Sequence, residues 1–259
     1  MSNTPGRRVA LVTGGSAGIG KAIALLLVEK NHDIALVARR AEPLDACAEK
    51  IRAKGARALT LPLDVADDAA FSAALDRTES EWGPIDLFVA SAGIGYATPA
   101  TDFDLGAAQA IVDLNVSAFT RNVAAVLARM VERNHGHIVA LSSLAGYRGL
   151  PGNAAYCASK AYVSAFMESV RLDLRRTKVK TTTVHPGWVQ TEMIARNEKK
   201  KPMVMRPERV AELVWDAVRG GKSSVSMPFP LNAWTRMGRH SPNLLFDVSM
   251  RGKRWPFDA

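Results

Sequence analysis

Along residues 8–227, short apolar runs rich in β-branched side chains alternate with longer helical patterns, and this alternation restricts the fold more than any other feature. Residues 8–13 (RVALVT) read as a first strand because the run is short, β-branched and ends on glycines. Residues 18–30 follow as a helix, with Ile19, Ala22, Ile23, Leu26 and Leu27 on one face. The same reading places strands at 33–39, 57–63, 85–90, 137–142, 179–185 and 223–227. Helices fall at 43–54, 67–82, 105–133, 154–177 and 207–219.

Strand–helix alternation requires right-handed crossovers and a parallel sheet. Strands that are apolar throughout, such as IALVA at 34–38, belong in a sheet covered on both faces. The expected fold is therefore α/β: a doubly wound, mostly parallel seven-stranded sheet with helices on both faces and a ligand crevice at the carboxyl ends of its strands. With 259 residues and 47% hydrophobic content, the chain suits one domain spanning 1–259. The tail, 228–259, shows no clear period; it is expected to cover the site or join an oligomer interface. Cys47 and Cys157 are too few for a disulfide framework and read as small core residues in a reducing, cytoplasmic setting. The polar start of the chain lacks the apolar run of a leader. The net charge of +9 permits acidic partners, yet the Lys and Arg residues are dispersed apart from Lys199-Lys200-Lys201.

Thr13-Gly14-Gly15-Ser16-Ala17-Gly18-Ile19-Gly20 joins the first strand to the first helix. Glycines here allow a tight turn and let backbone N–H groups approach a pyrophosphate, with the helix dipole favouring the anion. The spacing is Gly-x-x-x-Gly-x-Gly, not the commoner Gly-x-Gly-x-x-Gly. An acid at the tip of the second strand would bind the ribose hydroxyl of NAD, whereas arginine accommodates a 2′-phosphate. This chain has Ala38-Arg39-Arg40, which points to NADP(H).

Tyr156 and Lys160 are four residues apart at the start of a helix, so their side chains address one site. Ser143 stands at the end of the preceding strand, and Asn115 lies inside the long helix, where asparagine is a poor helix former. With these residues in order, the sequence resembles the short-chain dehydrogenase/reductase family over residues 8 to about 227. Asp64-Val65 matches that family's adenine pocket, Ala92-Gly93 the turn after the fourth strand, and Pro186, Gly187, Val189 and Thr191 its nicotinamide side. One departure is Ala90-Ser91 where the family usually carries Asn-Asn; Ser91 is expected to replace part of the lost hydrogen bonding.

The resemblance implies a carbonyl–alcohol oxidoreductase using NADP(H), with Gly14, Ser16, Gly18, Ile19, Gly20, Arg39, Arg40, Asp64, Val65, Ala92, Gly93, Tyr156, Lys160, Pro186, Gly187, Val189 and Thr191 around the cofactor. Tyr156 would be the general acid/base, Ser143 would bond the substrate oxygen, Lys160 would serve tyrosine and ribose, and Asn115 would hold a relay water. Lowering a phenol from about 10 by some 3 units takes roughly 4 kcal/mol. A charge about 4 Å away supplies roughly that at an effective dielectric near 20, so Lys160 is expected to suffice. The alternative is a cofactor-sensing protein without turnover, which loss of Tyr or Lys would have favoured. The five histidines show no zinc spacing, so no metal is expected. No nucleic-acid module is recognisable. Apolar residues Ile94, Tyr96, Leu144, Trp188, Met193 and Ile194 should rim the crevice, implying a lipophilic small-molecule substrate. The family implies a homodimer or homotetramer, with Val112, Ala118, Val163 and Phe166 expected outward on the two long helices. Membrane-surface contact by the basic tail is the less favoured reading, because no amphipathic period is evident.

Overall fold

The computed structural model describes residues 6–195, 201 and 203–250. Seven strands form one sheet in the order β3-β2-β1-β4-β5-β6-β7. They are β1 (Arg8–Thr13), β2 (His32–Ala38), β3 (Ala58–Pro62), β4 (Ile85–Ala90), β5 (Gly136–Leu141), β6 (Val179–Pro186) and β7 (Ser224–Met227), and every neighbouring pair is parallel. The order reverses direction between β1 and β4, which opens a crevice at the carboxyl ends of these two strands.

Alternate side chains of each strand enter different cores, as the pleat requires. Ala10 and Val12 pack with α1 (Gly18–Glu29), α2 (Ala41–Ala53) and α8 (Pro207–Arg219). Val9 and Leu11 pack on the opposite face with α3 (Asp68–Trp82), α5 (Phe119–Glu132) and α6 (Ala154–Asp173). Leu11, Phe88 and Ile34 are wholly enclosed; each is worth about 1.5–3 kcal/mol relative to exposure. The expected seven-stranded doubly wound fold is thus observed, and both Cys47 and Cys157 are buried and free.

The long helix expected at 105–133 is observed over Leu105–Glu132, as α4 (Leu105–Val112) running into α5 through a π-helical turn, Asp113–Ala118, that contains Asn115. Two expectations need correction. Of the side chains expected outward, Ala118 and Val163 are buried, Val163 in the core beneath α6, and Phe166 is half-buried against Phe119 and Tyr162. Val112 does face outward, as does Tyr162. Finally, the tail is not aperiodic: after the short α7 (Glu192–Ala195), α8 and β7, it forms α9 (Leu231–His240) and α10 (Asn243–Met250). Lys199 and Lys200 of the basic run, and Arg251, Lys253 and Arg254 of the tail, lie outside the described residues.

At the amino end of the sheet, Asp33 is buried and accepts from Arg7 Nε at 3.0 Å, Arg57 Nε at 2.7 Å and the Arg57 backbone N–H at 2.9 Å. Removing this carboxylate would leave the Nε groups of two partly buried arginines without their acceptor and their charges without a counter-ion. Asp33→Ala is therefore expected to lower the free energy of unfolding by about 3 kcal/mol in urea titration. A loss below 1 kcal/mol would contradict the assignment.

Candidate active site

The glycine turn is shaped by contacts that only glycine satisfies. Gly14 and Gly18 have φ of 67° and 54°, in the left-handed region. A Cβ on Gly20 would lie 2.4 Å from the Gly14 carbonyl oxygen. One on Gly18 would meet Thr191 at 3.0 Å, so the segment after β6 closes against the turn. Ser16 and Ile19 are half-buried on the same turn, where α1 presents its unpaired backbone N–H groups. This is a cradle suited to a pyrophosphate.

At the tip of β2, Arg39 is mostly exposed, with Nη1 4.0 Å from Asp64 Oδ2. No acid occupies the strand tip itself. Arg40 is engaged elsewhere, in an exposed ion pair with Glu192 at 3.1 Å. Val65 is buried, and its carbonyl accepts from Asn122 Nδ2 at 3.1 Å.

Asn115 is the centre of the opposite wall. Its Oδ1 accepts from the Ile94 backbone N–H at 2.9 Å. Its Nδ2 donates to the Ile94 carbonyl at 2.8 Å and to Ser159 Oγ at 3.1 Å. The π turn supplies the special backbone that an asparagine in a helix called for. A Cβ on Gly93 would meet Asn115 Oδ1 at 3.1 Å and Lys160 Nζ at 3.4 Å, so these two side chains meet at the Ala92-Gly93 turn. Thr13, which the sequence reading missed, holds that turn: its hydroxyl oxygen accepts from the backbone N–H groups of Ser91 and Ala92 at 3.1 and 3.2 Å. The role expected of Ser91 falls to Thr13, which reaches across from the end of the neighbouring strand.

Ser143 caps a short 3-10 turn, its Oγ accepting from Ala145 N–H at 3.1 Å and facing the Pro186 carbonyl at 3.4 Å. Lys160 Nζ donates to the Leu141 carbonyl at 2.9 Å. Gly146 lets this turn lie on α6: a Cβ there would sit 2.7 Å from the Lys160 backbone. Gly95 leaves room for the Tyr156 ring in the same way, at 3.0 Å. Neither glycine carries a turn signature in sequence, so only the packing reveals them. Met193 also lies beside Gly95, and Gly187 packs against Leu144, Pro228 and Leu231. Val189 is buried and pairs with Met205.

The electrostatics differ from expectation. Burial raises the Tyr156 phenol above its usual range, and a hydrogen bond with Ser143 pulls the other way. Burial pushes Lys160 down to about 8. Lys160 Nζ stands 5.8 Å from the centre of the Tyr156 ring. Desolvation is the largest influence on the phenol and favours its neutral form, the form that donates a proton.

Residues 8–202 match the family model for short chain dehydrogenases. The chain belongs to the short-chain dehydrogenase family. An oxidoreductase of uncharacterised activity from Myxococcus xanthus is 40% identical over 247 residues, covering 95% of this chain and 98% of that protein. The crystal structure of a variant actinorhodin polyketide ketoreductase with NADPH superposes with a TM-score of 0.82 at 28% identity, covering 87% of this chain and 97% of that one. A short-chain dehydrogenase/reductase from Burkholderia phymatum, in complex with NAD, shares the fold at a TM-score of 0.83 and 22% identity, over 98% and 97% of the two chains. This protein is an NAD(P)-dependent oxidoreductase of the family.

Two buried histidines, His137 at the amino end of β5 and His185 at the carboxyl end of β6, set an acid limit on the fold. Burial pushes His137 down to about 4, reinforced by the Lys180 charge. Burial likewise pushes His185 to about 4; a Ser143 backbone hydrogen bond opposes this, while Arg236 and Arg239 reinforce it. An unfolded histidine takes up its proton near 6.5. The unfolded chain therefore binds more protons as pH falls, and stability that is complete above about 6.5 is lost towards 4. Each site is worth up to about 3 kcal/mol. Urea midpoints should fall across this window, and less steeply in His137→Gln; a pH-independent midpoint between 6.5 and 4 would refute the assignment.

Proposed function

We propose that the protein is an NADPH-dependent carbonyl reductase, acting in reverse as an alcohol dehydrogenase, on a lipophilic ketone, aldehyde or secondary alcohol. The observation that carries this reading is the convergence of Asn115 and Lys160 on Gly93, with Tyr156 against Gly95, beside the glycine turn. Gly14, Ser16, Gly18, Ile19 and Gly20 would hold the pyrophosphate, Asp64 and Val65 the adenine, and Pro186, Gly187, Val189 and Thr191 the nicotinamide end. Arg39 would fork onto the 2′-phosphate, as its exposed guanidinium and the absence of an acid at the strand tip support. When bound, the cofactor supplies or accepts the hydride.

The chain's own residues handle the proton. Ser143 donates a hydrogen bond to the substrate oxygen as negative charge grows there. Tyr156, neutral in its buried setting, donates its proton to the same oxygen. Lys160, buried behind it and anchored on Leu141, replenishes that proton and contacts the ribose. Asn115 fixes the Ile94 backbone and so the floor of the site. The half-buried Ile94, Trp188, Met193 and Ile194 make the rim apolar. By family resemblance the protein would assemble as a homodimer or homotetramer.

Tyr156→Phe should lower kcat for carbonyl reduction by about 10²–10⁴-fold while leaving NADPH affinity nearly intact, since only the proton donor is lost. Stopped-flow or steady-state turnover with a good carbonyl substrate, alongside cofactor-fluorescence titration, separates the two quantities. Wild-type turnover in this variant overturns the mechanism, and an intact protein that binds NADPH but reduces nothing in a carbonyl panel favours the sensing role.

For the cofactor, NADPH should bind at least about tenfold tighter than NADH, or 1.4 kcal/mol. Arg39→Asp should move the preference towards NADH. Equal affinities in the unmodified protein would disprove the 2′-phosphate assignment.

A further inference from the structure

Among the described residues, six of the fifteen exposed large hydrophobic side chains lie within 229–248: Phe229, Trp234, Met237, Leu244, Leu245 and Val248. Such clustering in so short a segment marks a contact surface, whereas apolar residues scattered singly would not. Neither α9 nor α10 contains a fully buried residue, so the pair has no core of its own.

The two helices are nevertheless held firmly, and by polar contacts. The Arg148 guanidinium donates to the Gly238 carbonyl, to the Ser241 carbonyl at 2.7 Å and hydroxyl at 3.1 Å, and to Asn243 Oδ1 at 2.8 Å. It also lies over the Phe246 ring, 4.0 Å from the centroid. Leu231 packs against Gly187, which anchors the start of α9 on the body of the protein. The two helices are therefore docked through Arg148 and Leu231 while their large apolar side chains Trp234, Met237, Leu244, Leu245 and Val248 stay exposed.

Charge decides between occupants. On α9 the exposed Arg236 and Arg239 are interleaved with Trp234 and Met237, against the single exposed acid Asp247 of α10, and the whole chain carries a net charge of +9. A second copy of this chain brings the same net charge of +9 and so opposes its own approach. An anionic lipid surface complements the basic residues, while tryptophan and phenylalanine settle at the headgroup boundary and leucine and methionine enter the acyl region. We propose that α9 and α10 form a monotopic contact surface for an anionic bilayer. The surface lies beside the Gly187 end of the crevice, so a lipophilic substrate, if the functional reading above holds, would reach the site from the lipid.

The test is co-sedimentation of the full chain with phosphatidylcholine vesicles and with mixed phosphatidylcholine–phosphatidylglycerol vesicles, at low and high salt. Binding is expected to the mixed vesicles, at least about tenfold weaker to the neutral ones, and weakened by salt. The double variant Leu244→Asp/Leu245→Asp should lose at least about tenfold in partitioning while keeping its NADPH affinity, which reports an intact fold. Met237→Asp serves as a second variant should the double one unfold. No binding to anionic vesicles, or unchanged binding by a folded variant, overturns the proposal. Light scattering that shows the variants dissociating an oligomer, with no lipid binding by the unmodified chain, overturns it in favour of a subunit interface. Carbonyl-reductase assays are not part of this readout, so its failure is distinguishable from failure of the functional reading.

Discussion

A parallel sheet with both faces covered has no wet side, and the rest of this structure follows from that constraint. Polar side chains inside the strands must be hydrogen-bonded within the layer. Thr182 illustrates this, donating to the Lys222 carbonyl at 2.8 Å and meeting His137 Nε2 at 2.8 Å. Asp33 illustrates it at the amino end, where two arginines neutralise one buried carboxylate. Reactive groups are left to the carboxyl ends of the strands and the turns beyond, which is where Thr13, Ser143 and the Ala92-Gly93 turn stand.

The site is built by close backbone approach. Gly20 against Gly14, Gly93 against Asn115 and Lys160, Gly95 against Tyr156 and Gly146 against α6 each fill the space a side chain would need. These contacts leave Tyr156 and Lys160 little water, which accounts for the direction of both shifts: the phenol is raised and the ammonium lowered because each charged form is poorly solvated. A phenol that stays protonated suits delivery of a proton to a carbonyl. A lysine near 8 gives up and regains its proton within ordinary pH.

Arg148 links this machinery to the tail. It belongs to the segment that follows Ser143, yet its partners all lie at 238–246. The start of α9 touches Gly187, on the other side of the crevice. One short region of chain therefore borders both the serine-bearing turn and the segment after β6, and it does so while exposing the densest apolar surface of the described chain.

The sequence by itself determined the strand–helix order, the both-faces-covered sheet and the glycine turn, because hydrophobic period and glycine spacing are local properties. It also named Asn115, Ser143, Tyr156 and Lys160 as a group, through order and spacing within a recognisable pattern. Only the tertiary structure decided how they meet. The π turn at Asp113–Ala118 depends on Asn115 finding the Ile94 backbone 21 positions away. Thr13 in place of Ser91 depends on which strand lies next to β4. The sign of the Tyr156 shift depends on burial, which spacing along a helix does not encode. In the tail, α9 does carry an amphipathic period, but with no core face of its own its docking depends on Arg148, some ninety residues earlier, and a contact of that range is not written in the local sequence.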